Sequence, residues 1–489
     1  MTLDDKLLSA GLDELVGRLP DRRDVLDALA TFIRTADDPE LVRINPIRFA
    51  GEHGCDEAAV IELFLHARRI GLLRMEWHYV CPGCGDIVES FQSLTSATAH
   101  YFCQTCSVDR DAELSDFVEV TFSVSKTIRE SAYHDPRSLS PEEYFFSYRF
   151  TGNGVLGDGT RIRDHLRRGA AVCAFLEPRE TRTFDCIADP GFLYITNGPA
   201  LTVSDERTNE TQRFAFEYTG PRAESFAGEF AAGPVTFDFT NATDHRYALL
   251  VANIPGDYEW TMEPFLSAAR LLSNQTFLDL FASETIVAAE GLEVRRLTLL
   301  FTDIQGSTAM YERVGDMKAF DVVRLHFGFL RDSISQNAGA LVKTIGDAVM
   351  ASFHDPLDAL RAALDMHARV ADFNADAGEQ LITLKVGVHT GTCLAVTLNG
   401  RLDYFGQAVN LAARVQALSE GNDIVLTDEM LRVAGVREVL AGYAVQAEAA
   451  ELKGIQGAVR VHRVSATAAA TRAGSAKLQP LRAPPASPS

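Results

Sequence analysis

The sequence predicts a multidomain α+β protein, and three observations support this prediction. At 489 residues the chain is too long for one ordinary hydrophobic core, so about three folded units are expected. Its pattern changes from helical periodicity, through short alternating runs typical of strands, to a C-terminal alternation of strands and helices. With 46% hydrophobic and 23% charged residues, the composition is that of a folded globular protein.

Charge and hydropathy restrict the location and the partners of the chain. No apolar run approaches the ~18 residues that a membrane-spanning helix needs, and the first residues lack a secretory signal, so we expect a cytoplasmic protein without a membrane anchor. The net charge of -21 repels nucleic acid phosphates, which disfavours nucleic acid as a partner. A polyanionic substrate would therefore need metal ions or well-placed Lys and Arg side chains.

Residues 1–76 show helical periodicity that ends in a strand-like alternation. Apolar side chains recur at helical spacing through residues 7–33 and 56–67, and the last pattern leads to Trp77. This order is typical of the last helix and wing of a winged-helix module, which would bind DNA or serve as a helical scaffold. Residues 1–80 contain ten Lys and Arg against fifteen Asp and Glu, and this acidic balance favours the scaffold.

Two CxxC pairs lie in residues 77–116 and are separated by 18 residues. Each pair can direct two thiolates at one tetrahedral ion, while a spacer of this length forms the intervening hairpin. Because four sulfur ligands fill the coordination sphere, a Zn²⁺ ion held there would be structural rather than catalytic. The pattern predicts a zinc ribbon whose ligands are Cys81, Cys84, Cys103 and Cys106.

Three further segments are distinguished by their patterns. Residues 117–260 consist of short alternating runs punctuated by Gly, Pro, Asn and Asp, which predicts a β-rich, sandwich-like domain. Residues 261–294 contain amphipathic helical turns and are interpreted as a helical linker, which would carry a regulatory signal or simply pack on its neighbours. The tail, residues 465–489, is rich in Ala, Pro, Ser and Arg and is predicted to be disordered.

The last third of the chain, residues 295–464, alternates strands and helices. An apolar strand over residues 297–302 ends at Asp303, and a long helical pattern follows. Residues 341–353 are typical of a hairpin that turns at Asp347, and a helix, a strand and a further helix complete the pattern. The order βαββαβ predicts a ferredoxin-like core with additions.

Two carboxylates occupy chemically useful positions in this core. Asp303 follows a strand and Asp347 occupies a hairpin tip, so the two lie side by side if their strands are neighbours. Such a pair can hold one or two Mg²⁺ or Mn²⁺ ions through oxygen ligands. The backbone amides of Ile304–Ser307, a loop that includes Gly306 and Ser307, would contact phosphate oxygens at a helix N-terminus.

Three motifs of this segment resemble those of class III adenylyl and guanylyl cyclases: FTDIQGST at 301–308, KTIGD at 343–347 and DYFGQAVNLAAR at 403–414. The resemblance covers one domain, about a third of the chain, and the three motifs follow the family's order. It implies two Mg²⁺ or Mn²⁺ ions at Asp303, Ile304 and Asp347. It further implies that Asn410 positions the ribose, Arg414 neutralises charge on the α-phosphate in the transition state, and Lys453 grips the terminal phosphates.

By the same resemblance, base selection depends on Lys343 and Asp403. Adenine presents an acceptor at N1 and an amine donor at N6, whereas Lys only donates and Asp only accepts, so this pair complements adenine. Guanine reverses that edge, and guanylyl cyclases of the family carry a pair of the Glu and Cys type instead. ATP is therefore favoured over GTP as the substrate.

The resemblance implies an adenylyl cyclase that makes 3′,5′-cyclic AMP and pyrophosphate from ATP at the interface of a head-to-tail homodimer. Because one chain carries every role, two equivalent sites per dimer are expected. Residues 40–110 resemble the zinc-ribbon-containing N-terminal region of uncharacterised bacterial cyclases, so we expect these domains to respond to an unknown regulatory ligand or protein. Two alternatives stay open: a guanylyl cyclase, and a non-catalytic nucleic-acid-binding or scaffold protein that retains the fold.

Overall fold

The computed structural model describes residues 3–465, except for 107, 113, 115–116, 199, 222–227, 255–258, 282–290 and 399. The tail predicted to be disordered lies, apart from its first residue, outside the described residues, and so does part of the predicted helical linker. Among the helices that are described, none combines the length and the hydropathy needed to cross a bilayer.

The N-terminal region is a group of four helices packed against a three-stranded antiparallel sheet. Its elements are α1 (Asp5–Arg18), α2 (Arg23–Thr35), α3 (Pro46–His53), α4 (Glu57–Arg69), β1 (Leu73–Val80), β2 (Ile87–Phe91), β3 (His100–Cys103), β4 (Val108–Asp111) and β5 (Val118–Val124). The side chains of Asn45 and Asp56 accept hydrogen bonds from first-turn amides of α3 and α4, which explains where these helices begin. The sheet has the order β2-β1-β5, while β3 and β4 form a separate hairpin.

Strand β5 differs from the prediction that residues 117–260 form one β-rich domain. It pairs with β1 along its whole length, from Val118 opposite Tyr79 to Val124 opposite Leu73. All seven of its residues are buried. Its sequence alternates apolar residues with Glu119, Thr121 and Ser123, as the strands that follow it do, so the pattern does not indicate which sheet it joins. The β-rich region therefore begins after β5.

The predicted β-rich region follows. Its elements are α5 (Pro141–Glu143), a π-helical turn (Tyr144–Arg149), β6 (Gly154–Leu156), α6 (Ile162–Gly169), β7 (Ala170–Leu176), β8 (Thr181–Ala188), β9 (Gly191–Ile195), β10 (Ala200–Arg207), β11 (Gln212–Tyr218), β12 (Gly228–Asn241) and β13 (Tyr247–Ile254). The strand order is β11-β12-β10-β9-β13-β7, with β8 beside β12. The long β12 pairs with β10 up to Ala232 and with β8 from Gly233 onward, so two sheets share this strand.

A connector, residues 263–281, joins this region to the C-terminal domain. It follows β14 (Trp260–Met262) and contains α7 (Ala268–Leu272) and α8 (Gln275–Leu280). Phe277 of α8 meets Trp77 edge-on, with ring centroids 6.0 Å apart, and stacks on Phe281 at 5.5 Å. The connector is therefore packed on the N-terminal region through aromatic contacts.

The C-terminal domain is an eight-stranded sheet with helices on both faces. Its elements are β15 (Leu292–Ile304), α9 (Ser307–Val314), α10 (Asp316–Gln336), β16 (Ala340–Ile345), β17 (Ala348–Phe353), α11 (Pro356–Ala377), β18 (Leu384–Leu398), β19 (Arg401–Phe405), α12 (Gln407–Ala417), β20 (Asp423–Thr427), α13 (Asp428–Leu431), α14 (Val436–Val439), β21 (Val445–Glu451) and β22 (Ala458–Ser465). The order is β16-β17-β15-β18-β20-β22-β21, with β19 beside β18. The antiparallel order of the first four strands is that of the predicted ferredoxin-like core.

The two faces of this sheet are buried by different partners. Side chains alternate along β15, so Leu300 faces α10 and α11 while Leu299 and Phe301 point to the opposite face. On that opposite face they belong to one continuous hydrophobic core with α12, the connector and the N-terminal helices. We call this the shared core, because both halves of the chain contribute to it.

Replacing Phe277 by alanine should destabilise both halves of the protein together. Phe277 is buried in the shared core, and truncation of such a side chain costs about 3–5 kcal/mol of unfolding free energy. Denaturant unfolding, followed by the fluorescence of the neighbouring Trp77 and by circular dichroism, should show one transition at a lower midpoint. Phe192→Ala, a matched control that is 38% exposed, should change the midpoint far less. Equal losses in the two variants would contradict this account.

Candidate active site

The two carboxylates predicted to bind metal lie at the same end of the C-terminal sheet. Thr302 on β15 is paired with Val349 on β17, so Asp303 and the hairpin tip at Asp347 are neighbours. Burial raises the pKa of Asp303, and the nearby Asp347 carboxylate adds to this effect. Oδ2 of Asp347 is buried and has no hydrogen-bond partner within the described part of the chain. Two such carboxylates fit a divalent cation, which would satisfy both of them.

The loop after Asp303 presents backbone groups beside this carboxylate pair. Ile304 is buried at the end of β15, and Gly306 adopts a left-handed conformation with φ of 68° just before α9 begins at Ser307. A larger residue at Gly306 would be strained in that conformation. Because the first amides of a helix have no acceptor within the helix, those of α9 can bind anionic oxygen atoms.

Lys343 and Asp403, which were predicted to contact the base, form an ion pair in the structure. Nζ of Lys343 lies 2.8 Å from Oδ1 and 2.6 Å from Oδ2 of Asp403. The Lys343 side chain is 38% exposed and that of Asp403 only 9%. Asp403 also accepts a hydrogen bond of 2.8 Å from the backbone amide of Tyr404. Two separate strands, β16 and β19, thus bring one donor and one acceptor to the same place.

The connector borders this ion pair. The hydroxyl of Tyr404 donates a hydrogen bond of 3.3 Å to the carbonyl oxygen of Leu272, and Gln275 accepts one of 2.8 Å from the amide of Leu341. Asp279 and Arg331 form a salt bridge of 2.5 Å. A cleft of about 610 Å³ lies between the connector and the sheet and is lined by Lys343, among other residues.

The remaining predicted residues lie along α12 and the turn before β22. Asn410 and Arg414 are one helical turn apart on α12, with Asn410 exposed and Arg414 half-buried. A side chain placed at Gly454 would begin 3.5 Å from Nη2 of Arg414, so the turn that carries the exposed Lys453 lies against Arg414. Within the described residues, neither Asn410 nor Arg414 makes a hydrogen bond or an ion pair with the carboxylates of Asp303 and Asp347.

The four cysteines of the two CxxC pairs converge at a distance from these residues. Their sulfur atoms all lie within 4.8 Å of one another, and the Cys81–Cys106 and Cys84–Cys103 separations are 3.8 and 3.7 Å. Four sulfurs about 2.3 Å from a tetrahedral Zn²⁺ would stand about 3.8 Å apart, so the geometry fits this ion. Neighbouring contacts join the cluster to the β-rich region: Asp86 forms a buried 2.8 Å salt bridge with Arg149, and the Tyr194 hydroxyl donates to the carbonyl of Thr105.

The sequence indicated the residues of the site but not the neighbours that hold them. Tyr404, Leu272 and Gln275 were not predicted to lie at the site, because their positions depend on packing between segments far apart in the chain. One signal was available for Tyr404: it follows Asp403 in a strand, so alternation directs it to the opposite face. Tyr404 is buried on that face, where its hydroxyl donates to the carbonyl of Leu272 and so links the strand of Asp403 to the connector.

The fold and the carboxylate pair define a nucleotide cyclase catalytic domain, and residues 291–465 match the adenylate and guanylate cyclase catalytic domain family. This match confirms the predicted domain. The chain belongs to the family of unknown function DUF5939, whose match covers residues 14–279, more than half of the 489 residues.

Several adenylate cyclases are similar to part of the chain. One from Anabaena cylindrica is 29% identical over 205 residues, 37% of this chain and 41% of that protein. The pH-sensitive adenylate cyclase of Mycobacterium tuberculosis is 31% identical over 183 residues, 37% of this chain and 44% of that protein. A solved adenylate cyclase structure from Trypanosoma brucei, in its monomeric state, is 24% identical with a TM-score of 0.31, and covers 35% of this chain and 90% of that chain. The chain spans less than half the length of these two curated relatives.

Replacing Asp303 by asparagine should stabilise the metal-free protein while removing its response to divalent metal. A carboxyl whose pKa is raised on folding opposes folding when ionised, and this effect disappears as the pH falls through the raised pKa. Because Asp303 is partly solvated, we expect a gain of only about 0.5 kcal/mol at mildly alkaline pH with a chelator. In denaturant titrations, Mn²⁺ should raise the midpoint of the wild type but not that of the variant.

Asp332→Asn is the control for this measurement, because Asp332 is an exposed carboxylate on α10. It should behave as the wild type with chelator and with Mn²⁺. A metal-free Asp303→Asn protein less stable than the wild type would contradict the repulsion between Asp303 and Asp347. An Mn²⁺ response retained by Asp303→Asn would contradict the assignment of this aspartate to the metal.

Proposed function

We propose that the protein is an adenylate cyclase, which converts ATP to 3′,5′-cyclic AMP and pyrophosphate through attack of the ribose 3′-hydroxyl on the α-phosphate. The observation that supports this most strongly is the Lys343–Asp403 pair, held in a domain that also carries the Asp303 and Asp347 carboxylates. The similarity to named adenylate cyclases points to the same substrate.

In this proposal, adenine is recognised by exchange of the Lys343–Asp403 ion pair for contacts to the base. The ammonium of Lys343 donates to N1 of adenine, and the carboxylate of Asp403 accepts from the N6 amine. Guanine presents a donor at N1 and an acceptor at O6, so the same two groups would leave its edge mismatched. Asp403 is held by the Tyr404 amide, which keeps the acceptor in place when the ion pair opens.

In this proposal, the carboxylates of Asp303 and Asp347 and the backbone carbonyl of Ile304 would hold two Mg²⁺ or Mn²⁺ ions. When bound, such ions lower the pKa of the ribose hydroxyl and stabilise the charge of the departing pyrophosphate. The amides at Gly306 and Ser307 bind phosphate oxygens at the start of α9. The half-buried position of Asp303 strengthens its hold on a cation relative to a fully solvated carboxylate.

Asn410 and Arg414 act on the ribose and on the reacting phosphate. Asn410 can hydrogen-bond the sugar, while the Arg414 guanidinium neutralises the charge that develops on the α-phosphate in the transition state. Lys453, on the turn packed against Arg414, binds the terminal phosphates as a point charge. The adjacency of this turn and α12 supports assigning both to the triphosphate.

The site is shared between two subunits of a head-to-tail homodimer in this proposal. Lys343 and Asp347 are four residues apart in one hairpin, roughly 13 Å at strand spacing, yet one must meet the base and the other the metal-bound phosphates. Asn410 and Arg414 make no hydrogen bond or ion pair with the metal carboxylates in the described part of one chain. Apolar side chains available for a partner are exposed by 39% to 48% on β18 and β19, namely Leu394, Leu398 and Phe405.

Purified full-length protein with Mn²⁺ should form cyclic AMP from ATP in preference to cyclic GMP from GTP. Asp303→Ala should lower the turnover at least 100-fold, because a metal ligand is lost. The double variant Lys343→Glu, Asp403→Cys should shift the ratio of kcat/KM values toward GTP by at least tenfold, since both hydrogen-bond roles are reversed. Asp332→Asn serves as the matched control and should retain wild-type turnover. No cyclic nucleotide from either substrate would refute the proposal, and a preference for GTP would favour a guanylate cyclase.

Mixing two inactive variants tests whether the site is shared. Equal amounts of Asp303→Ala and Arg414→Ala subunits form heterodimers in which one site carries both lesions and the other carries neither. Random exchange should therefore restore up to about a quarter of the wild-type activity. Native mass spectrometry can establish that heterodimers are present, and if they form without any recovery of activity, the shared site is wrong.

We further propose that Cys81, Cys84, Cys103 and Cys106 form a zinc ribbon whose ion is structural. Four thiolates leave no open coordination position, so the ion would fold this segment rather than act on substrate. The Asp86–Arg149 and Tyr194–Thr105 contacts tie the segment to the β-rich region, so the ion would also fix how these two parts meet.

Elemental analysis of the purified protein should find one zinc per chain. Cys84→Ser should lose the ion and lower the melting temperature by several degrees, because binding energy of a structural zinc is folding energy. Cys55→Ser alters a cysteine outside the cluster and should keep zinc and stability. A zinc-free wild type, or a Cys84→Ser protein with full zinc, would exclude the ribbon.

A further inference from the structure

A second cavity, of about 330 Å³, is lined by none of the proposed cyclase residues and lies where the N-terminal helices meet the start of the β-rich region. Its walls come from α2 and α3, from strand β5, and from residues 147–163. The volume corresponds to about ten water molecules, at about 30 Å³ each. This space is large enough for a small organic molecule.

Four arginines line this cavity: Arg43, Arg48, Arg161 and Arg163. The guanidinium of Arg43 lies 3.9 Å from the centre of the Tyr148 ring and has no carboxylate partner among the described residues. Arg48 and Arg161 both bond to one carboxylate, that of Glu263, at 3.1 and 3.0 Å. The positive charge on the wall thus exceeds what its ion pairs neutralise.

Arg163 is the least satisfied of the four. It is only partly exposed, and in the described part of the chain it makes neither a hydrogen bond nor an ion pair. Burial lowers its pKa, the neighbouring Asp164 carboxylate partly opposes this effect, and the nearby Arg161 and Arg48 add to it. Nε of Arg48 is also buried without a partner. Buried cationic donors without acceptors are costly, which indicates that an anionic acceptor belongs in the cavity.

The carboxyls of the cavity do not supply the missing charge. Glu119 is fully buried and accepts a hydrogen bond from Asn153 and one of 3.2 Å from Thr151, yet burial raises its pKa to about 7. It is therefore partly protonated near neutral pH and can itself donate to a ligand. Glu40 and Glu52 are exposed, Glu40 accepts a hydrogen bond from the backbone amide of Asp37, and neither forms an ion pair with the four arginines in the described part of the chain.

We propose that this cavity binds a small organic anion, a carboxylate or a phosphate ester, through Arg43, Arg48, Arg161 and Arg163. Guanidinium groups bind both kinds of anion through paired, charge-assisted hydrogen bonds. The aromatic rings of Phe32 and Tyr148, which also line the cavity, contact the organic part of the ligand. This site lies in the part of the chain that matches the family of unknown function, and it does not depend on the proposed cyclase activity.

The cavity is joined to the connector by direct contacts. Glu263, which forms ion pairs with both Arg48 and Arg161, is the first residue of the connector. Nδ2 of Asn45 donates a 2.9 Å hydrogen bond to the carbonyl of Pro264, and the amide of Val120 donates one of 2.8 Å to that of Leu266. A bound anion competes with Glu263 for Arg48 and Arg161. It therefore weakens the ion pairs that hold the first residue of the connector, whose other end borders Lys343.

Isothermal titration calorimetry on the full-length protein tests the site, with potassium phosphate and potassium succinate as separate probes and potassium chloride at equal ionic strength as reference. At least one probe should bind saturably, and which one binds distinguishes a phosphate ester from a carboxylate. Arg163→Gln should weaken that binding about tenfold or more. Arg168→Gln, which alters an exposed arginine of the same helix, should bind as the wild type.

Glu263→Gln provides a second test, in which the expected result is tighter rather than weaker binding of the probe. It removes the competing carboxylate, so the same probe should bind several-fold more tightly than to the wild type. Circular dichroism and melting temperature establish that each variant is folded. The proposal is overturned if neither probe binds beyond the chloride reference, if folded Arg163→Gln binds as tightly as the wild type, or if Glu263→Gln binds no more tightly. All these readouts are independent of cyclic AMP formation.

Discussion

Phe277 lies in a hydrophobic core to which Trp77, the connector and the β15 residues Leu299 and Phe301 all contribute. Most other features of the structure depend on this shared core. It fixes the connector against the sheet, and thereby places Leu272 and Gln275 beside the residues proposed to read the base. The N-terminal half is therefore part of the environment of the candidate active site, through packing that extends across residues distant in the chain.

The chain has a net charge of -21, and it contains one cluster of carboxylates and one cluster of arginines. In the C-terminal domain, the carboxylates of Asp303 and Asp347 repel each other, and we propose that they bind a cation. In the N-terminal half, Arg163 is partly buried and makes no ion pair among the described residues. Partly buried ionised side chains without an ion-pair partner destabilise the folded state. Side chains of this kind are typical of sites that bind a ligand of opposite charge. The connector contacts the arginine cavity through Glu263 and borders Lys343 in the C-terminal domain.

The sequence predicted some parts of this structure because local chemistry determines them. Asp303 and Asp347 follow from a strand end and a hairpin tip, and the cysteines converge because each CxxC turn places two sulfurs on one side. The sequence could not assign β5 to its sheet, because its alternation of apolar and polar residues is like that of the strands that follow and identifies no partner strand. The arginine cavity escaped prediction for another reason. Its residues come from separate segments, and none has a local motif.

The shared core also has a consequence for how such proteins can change over evolutionary time. A catalytic domain that touched its regulator only through a tether could be recombined with many different regulators. Here the face of β15 that carries Leu297, Leu299 and Phe301 is completed by the other half of the chain, so a new partner must supply complementary apolar surface. Substitutions on one side must be matched on the other. The two halves are therefore expected to be inherited together, as one unit of selection.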